Sequence, residues 1–271
     1  MISVIIPALN EERSINHTLA SLRAQDLGPT EFDIIVVDGG STDATARIVR
    51  SFGAKLIVAD GAGIARSQNI GFRATRADIV VFTQADTITP PDWLRKIRNE
   101  FARDKDLIAL TGPVEPAGGP IWFQLEYAAW NFIRWSTSLI PLPLGMFFTS
   151  GPNIAVRSWA FKKIGGFDEF MPAHEDGTLG KMLKKIGKVK FAGPLFLPIY
   201  VTISPRRSKL GFRGMHRYYM FMLGDLFPFN IILPRRIWKS IRIRTWMEML
   251  RVRSLSESEI ARRIAVLEKR Q

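Results

Sequence analysis

The chain has 271 residues, 46% hydrophobic and 23% charged, enough for a large domain with a packed core and too apolar for wholesale disorder. It has no cysteine and only His17, His174 and His216 as histidines, which excludes a disulfide scaffold, cysteine-ligated metal and thiol catalysis, and speaks against a histidine metal site. Net charge is +13, distributed unevenly: residues 1–204 are nearly neutral, whereas residues 205–271 hold 16 basic against 5 acidic side chains. Such a tail favours phosphates, whether on a nucleotide, a nucleic acid or a membrane surface. MISVIIPALN lacks the charged n-region and small-residue cleavage site of a secretory signal, so a cytosolic start is expected.

In chain order, unbroken Ile/Val runs at residues 3–7, 33–37, 55–59 and 78–83 read as strands covered on both faces. Helical patterns fill 10–24, 42–52 and 63–75 between them, so the alternation predicts parallel α/β architecture with right-handed crossovers. After Pro90–Pro91, helices are expected at 92–103, 121–135, 158–164 and 175–186, with strands at 107–114, 147–156 and 198–203. Beyond Ser204 the sequence turns basic and aromatic. Residues 212–234 are apolar but broken by Asp225, Pro228, Asn230 and Pro234, and 235–253 interleave Arg and Lys with Ile, Trp and Met. Ser256 and Glu259 form a capping box for a terminal helix to Lys269. The chain divides into a domain over 1–211 and a helical, membrane-associating region over 212–271.

Ligands of parallel sheets sit beyond the carboxyl ends of the strands. The loops there, at 8–11, 38–43, 60–63 and 84–87, bring Glu11, Asp38, Asp43 and Asp86 to one edge. Asp38 can accept hydrogen bonds from a ribose or base, and Asp86 can hold a hard cation. The competing account is that Asp38 and Asp86 cap the following helices, with Asp43 in a first helical turn.

The ordered set VIIPALNEE, VVDGGSTDAT, GIARSQNIG, VVFTQADT with PPDWL, SGPNIAVR with IGGFDE, HEDGTLGKML and SPRR resembles the family 2 glycosyltransferases of GT-A fold. The resemblance implies a Rossmann-like mixed sheet flanked by helices and inverting transfer from a nucleotide sugar, with Mg²⁺ or Mn²⁺. It implies that Pro7, Glu11, Asp38, Arg66 and Asn69 line the nucleotide, and that Asp86 carries the metal as the last acid of a D-x-D element. Gln84 replaces the first acid, which leaves strict metal dependence open. Asp176, in His174–Glu175–Asp176, is implied as the general base towards an acceptor hydroxyl; an N-terminal helix cap is the alternative. Gly151, Asn153 and Glu175 fall on the acceptor side, with a structural turn as the other account of residues 151–153. Arg206 and Arg207 resemble a basic loop that closes on the diphosphate, although a processive Q-x-x-R-W element is absent.

Aromatics beside Arg and Lys in 122–148 and 212–253 suit a headgroup interface; a second core or an oligomer interface is the competing account. The expected enzyme sits monotopically on the cytoplasmic face of the cell membrane. It moves mannose or glucose from GDP-mannose or UDP-glucose to a lipid-linked saccharide, or alternatively to a polyprenyl phosphate. Nucleic acid is not an expected partner. Other classes are a nucleotidyltransferase, disfavoured because ALNEER lacks a Gly-rich basic run, and a nucleic-acid-binding protein, suggested by the tail alone.

Overall fold

The computed structural model of the chain describes residues 1–139, 149–169, 175–193 and 199–215. It divides into two compact units, Met1–Ala117 with Glu126–Ser204, and Gly118–Leu125 with Pro205–Gln271.

Strands of the first unit form where Ile and Val run unbroken. β1 (Ile2–Ala8), β2 (Phe32–Asp38), β3 (Lys55–Val58) and β4 (Ile79–Phe82) lie parallel in the order β3-β2-β1-β4. Val4, Ile5, Ile6, Val36, Val80, Val81 and Phe82 are completely buried, as strands sandwiched between helix layers must be. β8 (Ile154–Arg157) then runs antiparallel to both β4 and β6 (Leu107–Thr111), and β9 (Lys188–Phe191) pairs parallel with β6 at the edge. The seven-stranded sheet is therefore mixed. A smaller sheet joins β5 (Thr87–Ile88), β10 (Val201–Ile203) and β7 (Val114–Pro116) in the order β5-β10-β7.

The strand expected over 107–114 is thus two strands in two sheets. Gly112 and Pro113 divide it. A Cβ on Gly112 would fall 1.9 Å from the Ile199 carbonyl oxygen, so only a bare backbone fits there, and Pro113 has no N–H for a ladder.

The helices are α1 (Ile15–Arg23), α2 (Thr45–Ser51), α3 (Ile64–Arg73), α4 (Trp93–Arg103), α5 (Ile121–Leu139), α6 (Ser158–Lys163) and α7 (Glu175–Lys184). α3 approaches the sheet closely at Gly71, where a Cβ would lie 2.4 Å from Ile5 Cγ2. The rings of Phe82, Phe161 and Phe167 pack with centroids 4.9 to 5.3 Å apart between sheet and helices. Truncating one such ring to alanine typically costs ~3–5 kcal/mol. α1 begins five residues later than its periodicity suggests, because Asn10 has φ 53° and the residues after it turn before the helix starts.

α5 begins in the second unit and continues in the first. Phe123, Tyr127 and Trp130 are buried, while Ile121, Leu125 and Phe132 are 69%, 62% and 60% exposed. The Asn131 carboxamide binds the Val114 N–H at 3.2 Å and its C=O at 3.0 Å, tying the helix to β7. In the second unit, Pro205–Leu210 forms a 3₁₀ turn, and the Trp122 ring meets Phe212 edge-on at 5.9 Å. Among the described residues no helix is long and apolar enough to cross a membrane. The expected apolar and basic stretches from 216 to 253 and the helix at 256–269 lie outside the described residues, as do residues 147–148 of one expected strand.

Candidate active site

The loops after β1 and β2 are built as one piece. Asp38 ends β2 opposite Ala8 of β1 and is 2% exposed. Its carboxylate accepts the Ser41 N–H at 2.9 Å and the Ser41 hydroxyl at 2.6 Å, closing a turn that needs Gly40 at φ 97°. Asn10 spans the two loops: its N–H donates to Ser41 Oγ at 2.8 Å and its Oδ1 accepts the Thr42 N–H at 2.9 Å. The Glu11 N–H donates to Thr45 Oγ1 at 2.8 Å, and the Glu11 carboxylate accepts the Ser14 hydroxyl at 2.6 Å. Glu12 and Asp43 are exchanged between the loops. The Glu12 N–H reaches Asp43 at 3.1 Å, and the Glu12 carboxylate accepts the Ala44 N–H at 3.1 Å. Burial pushes the Asp43 carboxyl up, but hydrogen bonds from Thr45 and the Glu12 N–H outweigh it and hold Asp43 below its usual value. Asp43 therefore braces the start of α2. Pro7 is half-buried at the end of β1.

The loop after β4 carries Gln84 and Asp86. Asp86 is 7% exposed, and its carbonyl accepts the Ser204 N–H at 3.1 Å, joining this loop to the end of β10. Gln84 is half-buried. Its amide nitrogen lies 3.4 Å from the position a Cβ would take on Gly151.

Asp176, in the first turn of α7, meets the same glycine. The Gly151 N–H donates to Asp176 Oδ2 at 2.8 Å, the Gly177 N–H donates to Oδ1 at 2.9 Å, and Thr149 donates its hydroxyl to the Asp176 carbonyl. The bond from Gly177 is local, as in a helix cap; those from Thr149 and Gly151 come from the segment before β8. Capping and carboxylate positioning coexist in one side chain. Gln84 Nε2 and Asp176 Oδ2 thus each lie 3.4 Å from the position a Cβ would take on Gly151.

Two predicted site residues are spent within the fold instead. Asn69 is buried on α3, where its Oδ1 accepts the Phe167 N–H at 2.9 Å and its Nδ2 donates to the Phe167 carbonyl at 2.9 Å and to Glu169 at 3.0 Å. Its carboxamide pins the GGFDE turn. Asn153 is 2% exposed; its Oδ1 accepts the Trp93 indole N–H at 3.1 Å, and its Nδ2 donates to the carbonyls of Pro113 and Ile199 at 3.0 and 2.7 Å. That ties Asn153 to the junction of the two sheets. A buried amide must satisfy itself, and both have done so internally. Arg66 is exposed on the first turn of α3. Arg206 and Arg207 sit in the 3₁₀ turn of the second unit. His174 and the Glu175 side chain lie outside what is described. Among the described residues no group of three or more carboxylates or histidines converges as a metal cage.

Asn10, Ser41, Thr45 and Thr149 organise the site without standing out in the sequence. The signal available for the first three was the density of Asn, Ser and Thr in LNEE and GGSTDAT, the residue types that bond to nearby backbone.

A sequence profile described as Glycosyl transferase family 2 matches residues 3–165, more than half of the chain. The chain belongs to this family. Among curated relatives, validoxylamine A glucosyltransferase of Streptomyces hygroscopicus subsp. limoneus is 25% identical over 201 residues, covering 62% of the chain and 44% of the relative. Poly(ribitol-phosphate) beta-N-acetylglucosaminyltransferase TarS of Staphylococcus aureus is 34% identical over 99 residues, covering 34% of the chain and 17% of TarS. The chain spans less than half the length of these relatives. Among solved structures, the mannosyltransferase PcManGT of Pyrobaculum calidifontis, in complex with GDP-Man and Mn²⁺, aligns over 99% of the chain and 74% of its own length, with TM-score 0.65 and 19% identity. TarS 1-349 aligns over 93% of the chain and 80% of its own length, with TM-score 0.62 and 18% identity. The fold of this family 2 member is GT-A.

Proposed function

We propose that the chain is an inverting, nucleotide-sugar-dependent hexosyltransferase that transfers mannose, or next glucose, to a lipid-linked saccharide. The observation that carries this reading is the Asp176 carboxylate, held by the Gly151 N–H at 2.8 Å and by the Gly177 N–H at 2.9 Å. A carboxylate fixed on both oxygens by backbone N–H groups is oriented to take a proton from an acceptor hydroxyl. Family membership and the GDP-mannose complex of one structural neighbour support a nucleotide-sugar donor. Asp38, beside its Ser41-closed turn, would read the base or ribose, with Pro7 and Glu11 beside it and Arg66 on the adjoining helix.

A divalent cation fits Asp86. Mg²⁺ and Mn²⁺ at phosphate sites commonly take one or two protein carboxylates and complete their shell with phosphate oxygens and water. With no fuller cage among the described residues, Asp86 would hold the ion and the diphosphate would supply most other ligands. A bound ion would neutralise charge on the departing diphosphate. For Arg206 and Arg207 the support is the sequence resemblance alone, with guanidinium donors suited to a diphosphate.

The membrane seat is supported by the exposed Ile121, Leu125 and Phe132 on α5, which share one helix flank, and by the basic excess after residue 204. Each Lys or Arg near an anionic leaflet contributes roughly 1 kcal/mol, so the cytoplasmic face of the cell membrane is the proposed location. Two measurements test the reading. Release of nucleoside diphosphate is followed across GDP- and UDP-sugars with Mn²⁺, and turnover of at least one is expected; release of pyrophosphate, or of nothing, would reject the assignment. A chain ending at residue 211 is expected to leave anionic vesicles to which the full chain binds, and persistent sedimentation would reject the membrane seat.

A further inference from the structure

Thr18 lies in the middle of α1 and is fully buried, as are Ile15, Leu19 and Leu22 of the same helix. A hydroxyl in such company must find a partner. The usual one for a helical threonine is the carbonyl one turn back, but Thr18 donates to the Ala85 carbonyl at 2.8 Å, 67 residues away in sequence. Ala85 stands between Gln84 and Asp86 and is 2% exposed. Its carbonyl shares a rigid peptide plane with the Asp86 N–H. The plane on the other side is held as well, since the Asp86 carbonyl accepts the Ser204 N–H at 3.1 Å. With both planes fixed, the two backbone dihedrals of Asp86 are fixed, and so is the direction in which its side chain leaves the backbone. α1 secures the rest of the segment too. Ser21 Oγ accepts the Thr89 N–H at 3.1 Å, and Gln25, just past the helix, accepts the Leu94 N–H at 2.9 Å and donates to the Pro90 carbonyl at 2.7 Å. Of these three side chains, only Thr18 reaches a peptide that adjoins Asp86.

We propose that Thr18 is a positioning residue for the divalent cation: its hydroxyl sets the angle at which the Asp86 carboxylate meets the ion. The inference deepens the proposed reading of Asp86 as the ion's ligand, on which it rests. A divalent cation at a phosphate site takes few protein carboxylates, and among the described residues no fuller cage surrounds this one. The aim of a single carboxylate then decides how well the ion is held, with no companion ligand to correct it. Loss of a hydrogen-bonding partner behind a metal ligand commonly costs about 10–100-fold in metal affinity. Thr18 is such a partner, acting through the backbone and not through the carboxylate itself.

The test is Mn²⁺ binding to the full chain in the presence of GDP or UDP, followed by the electron paramagnetic resonance of the free ion, so no turnover is needed. Thr18→Val keeps the shape of the side chain and removes the donor. It is expected to weaken Mn²⁺ binding by about 10–100-fold, with the metal-free nucleotide Kd unchanged. Thr18→Ser and Thr18→Ala both lack the methyl group and differ only in the hydroxyl. The serine variant is expected to bind Mn²⁺ like wild type and the alanine variant like Thr18→Val, and this pair carries the test alone should Thr18→Val fail to fold. Ser21→Ala, which removes the bond from the same helix to Thr89, is expected to lower the urea midpoint and leave Mn²⁺ affinity unchanged. Wild-type Mn²⁺ affinity in Thr18→Val, equal affinities in the serine and alanine variants, an equal loss in Ser21→Ala, or a metal-free nucleotide Kd that weakens in step would each overturn the proposal. No Mn²⁺ binding by wild type, or binding that Asp86→Ala leaves unchanged, would instead bring down the reading of Asp86, and the proposal with it.

Discussion

The two sides of the site in the first unit are held by different means. On the proposed nucleotide side, the loops after β1 and β2 are cross-tied by Asn10, Glu11, Glu12, Asp43, Ser41 and Thr45. On the proposed acceptor side, Asp176 is placed by Gly151 and Thr149, 25 and 27 residues away in sequence. The proposed binding side is thus a cross-linked pair of loops, whereas the proposed catalytic carboxylate hangs on a few contacts between separate segments. A change on the first side should alter affinity and stability together; a change on the second should alter turnover alone.

The sharpest way to break that contrast is Asp176→Asn. It keeps the acceptor oxygen for the Gly151 N–H but removes the base, so kcat should fall by about 10²–10⁴-fold, with nucleotide Kd by titration calorimetry unchanged. A variant that loses affinity in step with turnover would erase the distinction. Next in size is Asp86→Ala, expected to abolish the Mn²⁺-dependent part of nucleoside diphosphate affinity while leaving the metal-free affinity intact; equal Kd values with and without Mn²⁺ in wild type would show that Asp86 carries no ion. Asn153→Ala, which strands buried carbonyls and the Trp93 indole, should cost about 1–3 kcal/mol per lost buried partner in urea unfolding. Its catalytic constants should be normal at temperatures where it remains folded, and a specific loss of acceptor KM would return Asn153 to the acceptor side.

The smallest effect concerns pH. Burial raises the Glu126 carboxyl to about 7, and its Oε2 is buried with no hydrogen-bond partner. The folded chain therefore binds a proton that the unfolded chain has released. Stability is fully present below the ordinary glutamate value and declines as pH rises towards 7. Glu126→Gln should raise Tm at pH 8 and leave it unchanged at pH 4; a gain at both would point to a cause other than ionisation.

Much of this architecture can be read directly from the sequence. β1, β2 and β4 are unbroken Ile/Val runs whose burial needs no partner to be known. β9 escapes such reading because KVKF alternates, with exposed lysines at Lys188 and Lys190; it is an edge strand whose charges pair with Asp104 and Glu100. Asp38 ends one strand and Asp86 follows another, and the parallel order alone brings those strand ends to a shared edge. Asn69 and Asn153 could not be sorted in the same way. A carboxamide suits a ligand or a backbone equally well, and the partners that decide between them lie up to 98 residues away in sequence.

The placement of β8 has a consequence for how the protein is made. β3, β2, β1 and β4 have all been made once Phe82 is translated, so their pairing can form as the chain leaves the ribosome. The strand that seals the open side of β4 is translated more than seventy residues later. Until Ile154–Arg157 emerges, β4 presents unpaired N–H and C=O groups on a bare Ile-Val-Val-Phe ridge, a template for adhesion between nascent chains. Fragments cut short of Arg157 should accumulate as aggregates, and the slow step in refolding should be the return of that strand to the middle of the sheet.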